Sequence, residues 1–340
     1  MSRLDERYRA VLRLLPADYR ARWEQEMVAA FLESMETGDP EQDEYVRDYG
    51  RPSWSEVGSV AALAVRLRLG GAGTPRSVTW GAAVRLAVLM ALLANAVSGT
   101  SGAAFRLWLA GTLSWLPDPP ATWMAQIPSG FWYVSSDLSG LFWLAAYVAF
   151  LNGHLAAGRA FIGLGMLPGA VVAVISTVGL MGVSPSVTLW TALLADGALL
   201  LGTVAFQPGA APVRIRPWLW ALPVGVVTVA GLWLGIVATA LLDWAGLHAV
   251  LAVAAALAYL GGIALRLLRP AAAWSLALLV LVVAVLAARL ITLLDYAMLD
   301  PASDRAAWLA VGAAEAAMLL AVGAPLAVLA ARALPRRVPA

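Results

Sequence analysis

Between residues 78 and 330 the chain repeats runs of about twenty apolar residues, the length a helix needs to cross the hydrocarbon core of a bilayer. Candidate spans lie at 78–98, 137–157, 160–180, 187–206, 218–240, 246–265, 271–294 and 306–330. In lipid the backbone N–H and C=O groups have no water to bond, so each run must satisfy its own groups as a helix. The expected fold is all-α: a polytopic membrane bundle of eight transmembrane helices behind a small N-terminal cytoplasmic helical bundle.

Composition agrees, with a mean hydropathy of +0.78 and 13% charged residues, about half the share usual in globular domains. Cysteine is absent, which excludes disulfides, thiolate metal sites and a cysteine nucleophile. Lysine is absent too, which excludes Schiff-base chemistry and a P-loop lysine. Residues 1–76 carry 11 Arg against 13 acids and the remainder 12 Arg against 8 acids, so neither part forms a basic nucleic-acid surface. The opening MSRLDERYRAVLRLLPADYR lacks the apolar run and cleavage site of a secretory signal, and the N-terminus is expected to stay in the chain.

The front end reads differently. Tyr19, Trp23, Met27 and Phe31 recur every fourth position and make an apolar helical stripe, either the core of a bundle or a face that docks a partner. Asp39-Pro40-Glu41-Gln42 reads as a helix cap with a first-turn proline, and Ser53 with Glu56 as a second start. The divisions expected are a three- or four-helix module at 1–70, a linker at 71–77, a transmembrane domain at 78–332 and a tail at 333–340. Within the transmembrane domain, 99–136 reads as an outer interfacial segment, including a separate interfacial helix at 101–116 or a pair of half-spans.

Charge sets the expected orientation. If the N-terminal bundle is cytoplasmic, the inner flanks hold Arg76, Arg159, Arg214, Arg216, Arg266, Arg269, Arg332, Arg336 and Arg337, and the outer connections only Arg106 and Arg305. This is the positive-inside pattern, with both termini cytoplasmic in the plasma membrane.

Ionisable residues inside spans are costly and mark candidate sites. Asp196 lies mid-span in TALLADGALLLG, and Arg85, Arg289 and Glu315 are the other candidates; Arg289 and Glu315 fall at matching depths in the last two spans. The alternative roles are interhelical packing pairs and arginines that snorkel to the headgroups. Asn95, Asn152, His154 and His248 lie near span ends and read as interfacial. No HExxH, GxSxG elbow or phosphate loop occurs, so no catalytic residue, metal ligand or cofactor is assigned. Gly165-Met-Leu-Pro-Gly169 and Gly231-Leu-Trp-Leu-Gly235 are small-xxx-small patterns that let helices approach, and Pro168, Pro223 and Pro325 read as prolines within packed helices, with a kink or break as the alternative.

The segment YRAVLRLLPADYRARWEQEMVAAFLE, residues 8–33, resembles the N-terminal cytoplasmic helical module that precedes transmembrane domains in many actinobacterial membrane proteins. Leu14, Leu15, Pro16, Tyr19, Arg20, Trp23, Glu24, Glu26 and Met27 carry the resemblance. Similar modules precede some ABC-type export permeases and sensor proteins associated with PadR-like repressors. The resemblance implies docking of a cytoplasmic protein, a regulator or an ATPase, and covers about residues 1–70 only. The chain departs from permeases that carry a large extracellular domain between their first two spans. The expected function is a non-enzymatic membrane protein that docks a cytoplasmic partner and anchors or transmits a signal. The alternative is a transporter, or the membrane subunit of an ABC-type exporter, using Asp196.

Overall fold

Side-chain caps and a wide-turned reversal shape the first part of the chain. In the computed structural model, which describes residues 2–36, 38–71, 74–113, 116, 118, 131–178, 187–207, 215–236, 243–298 and 302–334, the described chain divides into two compact units. One runs to Ala82 and the other covers Ala83–Leu334.

The first unit holds α1 (Arg3–Leu12), α2 (Ala17–Ser34), α3 (Pro40–Tyr49) and α4 (Trp54–Arg66). Ser2, Asp39 and Ser53 each accept a backbone N–H of the helix they open, which satisfies donors that have no partner inside the helix. Pro16 precedes α2, where its missing N–H costs nothing. Helix α1 touches the other three helices, and its Leu4, Tyr8 and Leu12 meet Val28 and Phe31 of α2 and Val60 and Ala64 of α4 in one apolar core. Tyr8 stacks on Phe31 at 4.0 Å, and burial there holds the Tyr8 phenol above its usual pKa, with Glu56 adding to the effect. Arg9 lies between Asp5 at 2.7 Å and Glu24 at 3.3 Å, and the Asp5 hydrogen bond raises its affinity for its proton.

After α4 the chain reverses through a wide turn at Leu67–Gly71, in which Gly70 has φ +116, a conformation L side chains rarely adopt. A Cβ on Gly81 would lie 2.7 Å from the Leu69 carbonyl carbon, so the reversal also needs a glycine on the helix it folds against.

The second unit is built of α5 (Pro75–Leu109, whose first residues belong to the first unit), α6 (Phe131–Leu151), α7 (Leu155–Thr177), α8 (Val187–Gly202), α9 (Ile215–Ile236), α10 (Trp244–Ala264), α11 (Ala272–Ala297) and α12 (Ala302–Ala333). Among the described residues six helices are long and apolar enough to cross a membrane: α5, α7, α8 with the short turn Thr203–Ala205 that follows it, α10, α11 and α12. Helices α6 and α9 contribute shorter described apolar stretches, Leu138–Leu151 and Ile215–Gly231. No strand occurs among the described residues.

Helix α11 packs against α8, α10 and α12, while α7 packs against α6 and α8. A second cluster joins Leu89, Leu92 and Ala96 of α5 to Trp143, Ala146 and Phe150 of α6, Leu199 of α8 and Trp218 of α9. Hydrogen bonds pin these contacts: Tyr147 donates to the Trp218 carbonyl at 2.7 Å, and Arg159 donates to Thr203 Oγ1 at 3.0 Å. Asp295 of α11 accepts from the Thr188 N–H at 2.8 Å, so an acid on one helix caps the N-terminus of another.

Two sequence expectations need correction. Residues 101–109 are not a separate interfacial helix, because α5 continues unbroken to Leu109, 35 residues long or about 52 Å at 1.5 Å per residue. Gly99 and Gly102 do not end the helix, since Gly99 packs there against Gly140 of α6, where a Cβ on Gly140 would lie 2.7 Å from Gly99 Cα. That glycine pair, rather than the 165–169 pattern, is a backbone approach of the kind expected. Gly165 lies under the Trp143 indole, and a Cβ on Gly231 would meet nothing within 4 Å. Pro168, Pro223 and Pro325 lie inside α7, α9 and α12 without interrupting them. Most of the expected interfacial segment beyond Leu113, and the tail after Leu334, lie outside the described residues.

The core of the first unit predicts that Phe31→Ala destabilises it by about 3–5 kcal/mol, the usual cost of removing a buried aromatic. Hydrogen–deuterium exchange of the full-length protein should show faster exchange across residues 3–66 in that variant, with Trp23→Ala, at an exposed position, close to wild type.

Candidate functional site

Among the described residues of the second unit, two polar clusters hold Arg289, Glu315 and Asp196. The larger is centred on Arg289 of α11, whose side chain is fully buried. Its Nη1 donates to Asp243 Oδ2 at 2.8 Å and Oδ1 at 3.0 Å, and to the Tyr296 hydroxyl at 3.2 Å. Its Nη2 forms an ion pair with the Glu315 carboxylate of α12. Tyr296 donates in turn to Asp243, and the Arg289 guanidinium lies 5.4 Å from the centre of the Tyr296 ring. Asp243 is the N-cap of α10 and accepts the Gly246 N–H at 2.6 Å.

This arrangement follows from local sequence. Arg289, Thr292 and Tyr296 are three and four residues apart and share one helical face. Asp243 precedes the apolar run of α10, where an acid complements the positive end of the helix dipole. A glycine leaves room for the ion pairs: a Cβ on Gly246 would lie 2.9 Å from both Asp243 Oδ1 and Glu315 Oε1, and 3.3 Å from Arg289 Nη2. One cation thus faces two carboxylates, and the α10 N-terminus offsets part of the excess negative charge. With both ends of its guanidinium engaged by acids of this chain, Arg289 ties α10, α11 and α12 together.

The smaller cluster joins three helices differently. Asn95 of α5 donates from Nδ2 to Asp196 Oδ1 of α8 at 3.4 Å, and its Oδ1 lies 3.0 Å from His248 Nε2 of α10. The other ring nitrogen, Nδ1, lies 2.8 Å from the Trp244 carbonyl, and the Trp244 ring lies 4.7 Å from the imidazole.

The structure therefore brings Arg289 to Glu315 and adds Asp243, which the sequence places in a connection. It brings Asp196 to Asn95 and His248, which position in the sequence suggests are interfacial. The available signal for Asp243 is its capping position, and for His248 its place one turn further along the same helix. Arg85 lies apart from both clusters, and among the described residues no hydrogen-bond or ion-pair partner is found for it. His154 precedes α7 without a side-chain cap, and Asn152 bonds back to the Val148 carbonyl.

Of the aromatic stripe, Phe31 is core, Tyr19 and Met27 pack at the edge of that core, and Trp23 is exposed. The most exposed aromatics of the first unit lie elsewhere: Tyr45 and Tyr49, stacked with centres 5.1 Å apart on α3, and Trp54, 89% exposed at the start of α4. Among the described residues no three His, Asp or Glu side chains gather as metal ligands. No protein-family model, characterised protein or solved structure matches this chain.

Arg289→Met is expected to lower stability by about 3–5 kcal/mol, because it leaves two carboxylates without their buried cation. Thermal unfolding of the purified full-length protein in detergent checks this, with Arg85→Met as the control expected to change stability by less than about 1 kcal/mol.

Proposed function

We propose that this protein is a multi-pass plasma-membrane protein whose N-terminal unit docks a cytoplasmic protein and anchors it or passes a signal to it. The observation that carries the reading is that Tyr45, Tyr49 and Trp54 are exposed on this unit and take no part in its apolar core. Between residues 36 and 56 seven acids stand against two arginines. Aromatic faces within acidic surroundings suit a partner that presents arginines or lysines, through ion pairs and cation–π contacts. The same acids disfavour the anionic leaflet surface as the occupant. A regulator or an ATPase with a basic face meets these requirements, in line with the resemblance of residues 8–33.

In this reading α6 and α9 count as spans, giving eight, and an even number returns both termini to the same side. Arginines in the connections support the cytoplasm as that side, by the positive-inside pattern. Transport is a second reading, favoured by Asp196 within the apolar helix α8.

A photoreactive residue in place of Trp54, activated in native membranes, tests the docking reading. The expected result is one principal protein adduct with a basic contact face, lost when Tyr45 and Tyr49 are both changed to Ser; adducts to lipid alone would refute it. The chain has no cysteine, so single introduced cysteines report topology directly. Residues 38 and 334 should both be labelled only from the cytoplasmic side, and opposite-side labelling would remove the even-span arrangement.

A further inference from the structure

The second cluster has an unusual hydrogen-bond balance. Trp244 offers His248 Nδ1 a carbonyl, which only accepts, so Nδ1 must carry hydrogen. Nε2 faces the Asn95 amide, which has one donating and one accepting end. With the amide NH2 toward Asp196, its carbonyl faces Nε2, and that nitrogen must also carry hydrogen. His248 is then an imidazolium, and Asp196 needs only to accept, as a carboxylate does. With the amide turned over, NH2 donates to a bare Nε2, the carbonyl faces Asp196, and the carboxyl must be protonated to donate. In both arrangements every facing pair has one donor and one acceptor. Each contains one titratable proton, on His248 in the first and on Asp196 in the second.

We propose that Asp196, Asn95 and His248 form a proton-binding site inside the helix bundle, in which the orientation of the Asn95 amide is coupled to whether Asp196 or His248 carries the proton. Passing from one state to the other breaks the Nε2–H bond and forms an O–H bond on Asp196, with no change in electron count. The imidazolium–carboxylate pair becomes two neutral groups, so charge on α8 and α10 appears and disappears together. Loss of that proton to water leaves one facing pair mismatched in either amide orientation, a cost the protein relieves by moving these helices relative to α5 or by admitting water.

The charged groups packed around His248 are engaged in contacts of their own. Asp243 lies at the start of the same helix, and Arg289 and Glu315 meet it beside Gly246. Around α8, Arg159 of α7 is engaged with Thr203 and Asp295 of α11 with Thr188, each about two helical turns from Asp196. Arg85, on α5, lies nearly three turns from Asn95. The carboxylate of Asp196 therefore has the Asn95 amide as its polar neighbour rather than a fixed cation. This inference stands independently of the docking reading, since it concerns only the second unit.

The chain has two histidines, so a His154→Gln background leaves one imidazole to observe. In full-length protein reconstituted in lipid nanodiscs, the 15N shifts of His248 report its charge and tautomer across pH. Asp196→Asn is expected to shift the His248 titration midpoint downward by about one pH unit or more, a tenfold loss of proton affinity, as the carboxylate is lost. In an Asn95→Leu background the same Asp196 change should shift the midpoint by less than half as much. A midpoint unchanged by Asp196→Asn, or an equal shift with Leu at position 95, overturns the proposal. Should Asp196→Asn fail to fold, Asn95→Leu alone decides: a changed midpoint or Nε2 shift supports the site, and spectra identical to the His154→Gln parent overturn it.

Discussion

A guanidinium without solvent exposure inside an apolar helix bundle has to be neutralised where it stands, and the second unit is arranged around that requirement at Arg289. The cation cannot be neutralised from its own helix alone. Asp243 comes from the N-terminus of α10 and Glu315 from α12, so one side chain fixes the mutual placement of three helices. Gly246 leaves the pair its room, because a Cβ there would press on both Asp243 and Glu315. Apolar packing below it, from Ala256 of α10 through Leu278 and Val282 of α11 to Leu319 of α12, has no comparable directionality. Such packing tolerates sliding and rotation; the ion pairs do not.

The two polar clusters differ in what they leave available. Around Arg289 each acid has a cation and each end of the guanidinium an acid, an arrangement suited to holding helices. Around Asn95 an amide stands between an acid and an imidazole, and an amide can reverse its donor and acceptor ends. A lock and a titratable site can thus share α10 within a few residues, because Asp243 caps the helix and His248 lies one turn beyond the cap.

The first unit follows the rules of water-soluble helices. Its capping residues, Ser2, Asp39 and Ser53, and its core of Leu4, Tyr8, Phe31 and Val60 account for four short helices. Tyr45, Tyr49 and Trp54 lie outside that core, which separates the residues that hold this unit together from those free to meet another molecule.

The capped helix starts, the long apolar helices of the second unit and the carboxylate and guanidinium at matching depth in its last two helices were all legible from residue type and spacing. These are local properties: a cap needs three neighbouring residues, and a long apolar helix needs only its own backbone bonds. The length of α5 was not legible, because Ser98, Gly99, Thr100 and Gly102 resemble a helix end until Gly140 is known to lie against Gly99. Nor was the division of the aromatic stripe, since a period of four marks a face without saying what covers it. Composition and periodicity alone determined that the chain is helical and largely apolar. Only the tertiary structure decided that Asp243 joins Arg289 and that Asn95 joins Asp196 to His248, because partners 46, 101 and 153 residues apart meet through helix packing that no local spacing encodes.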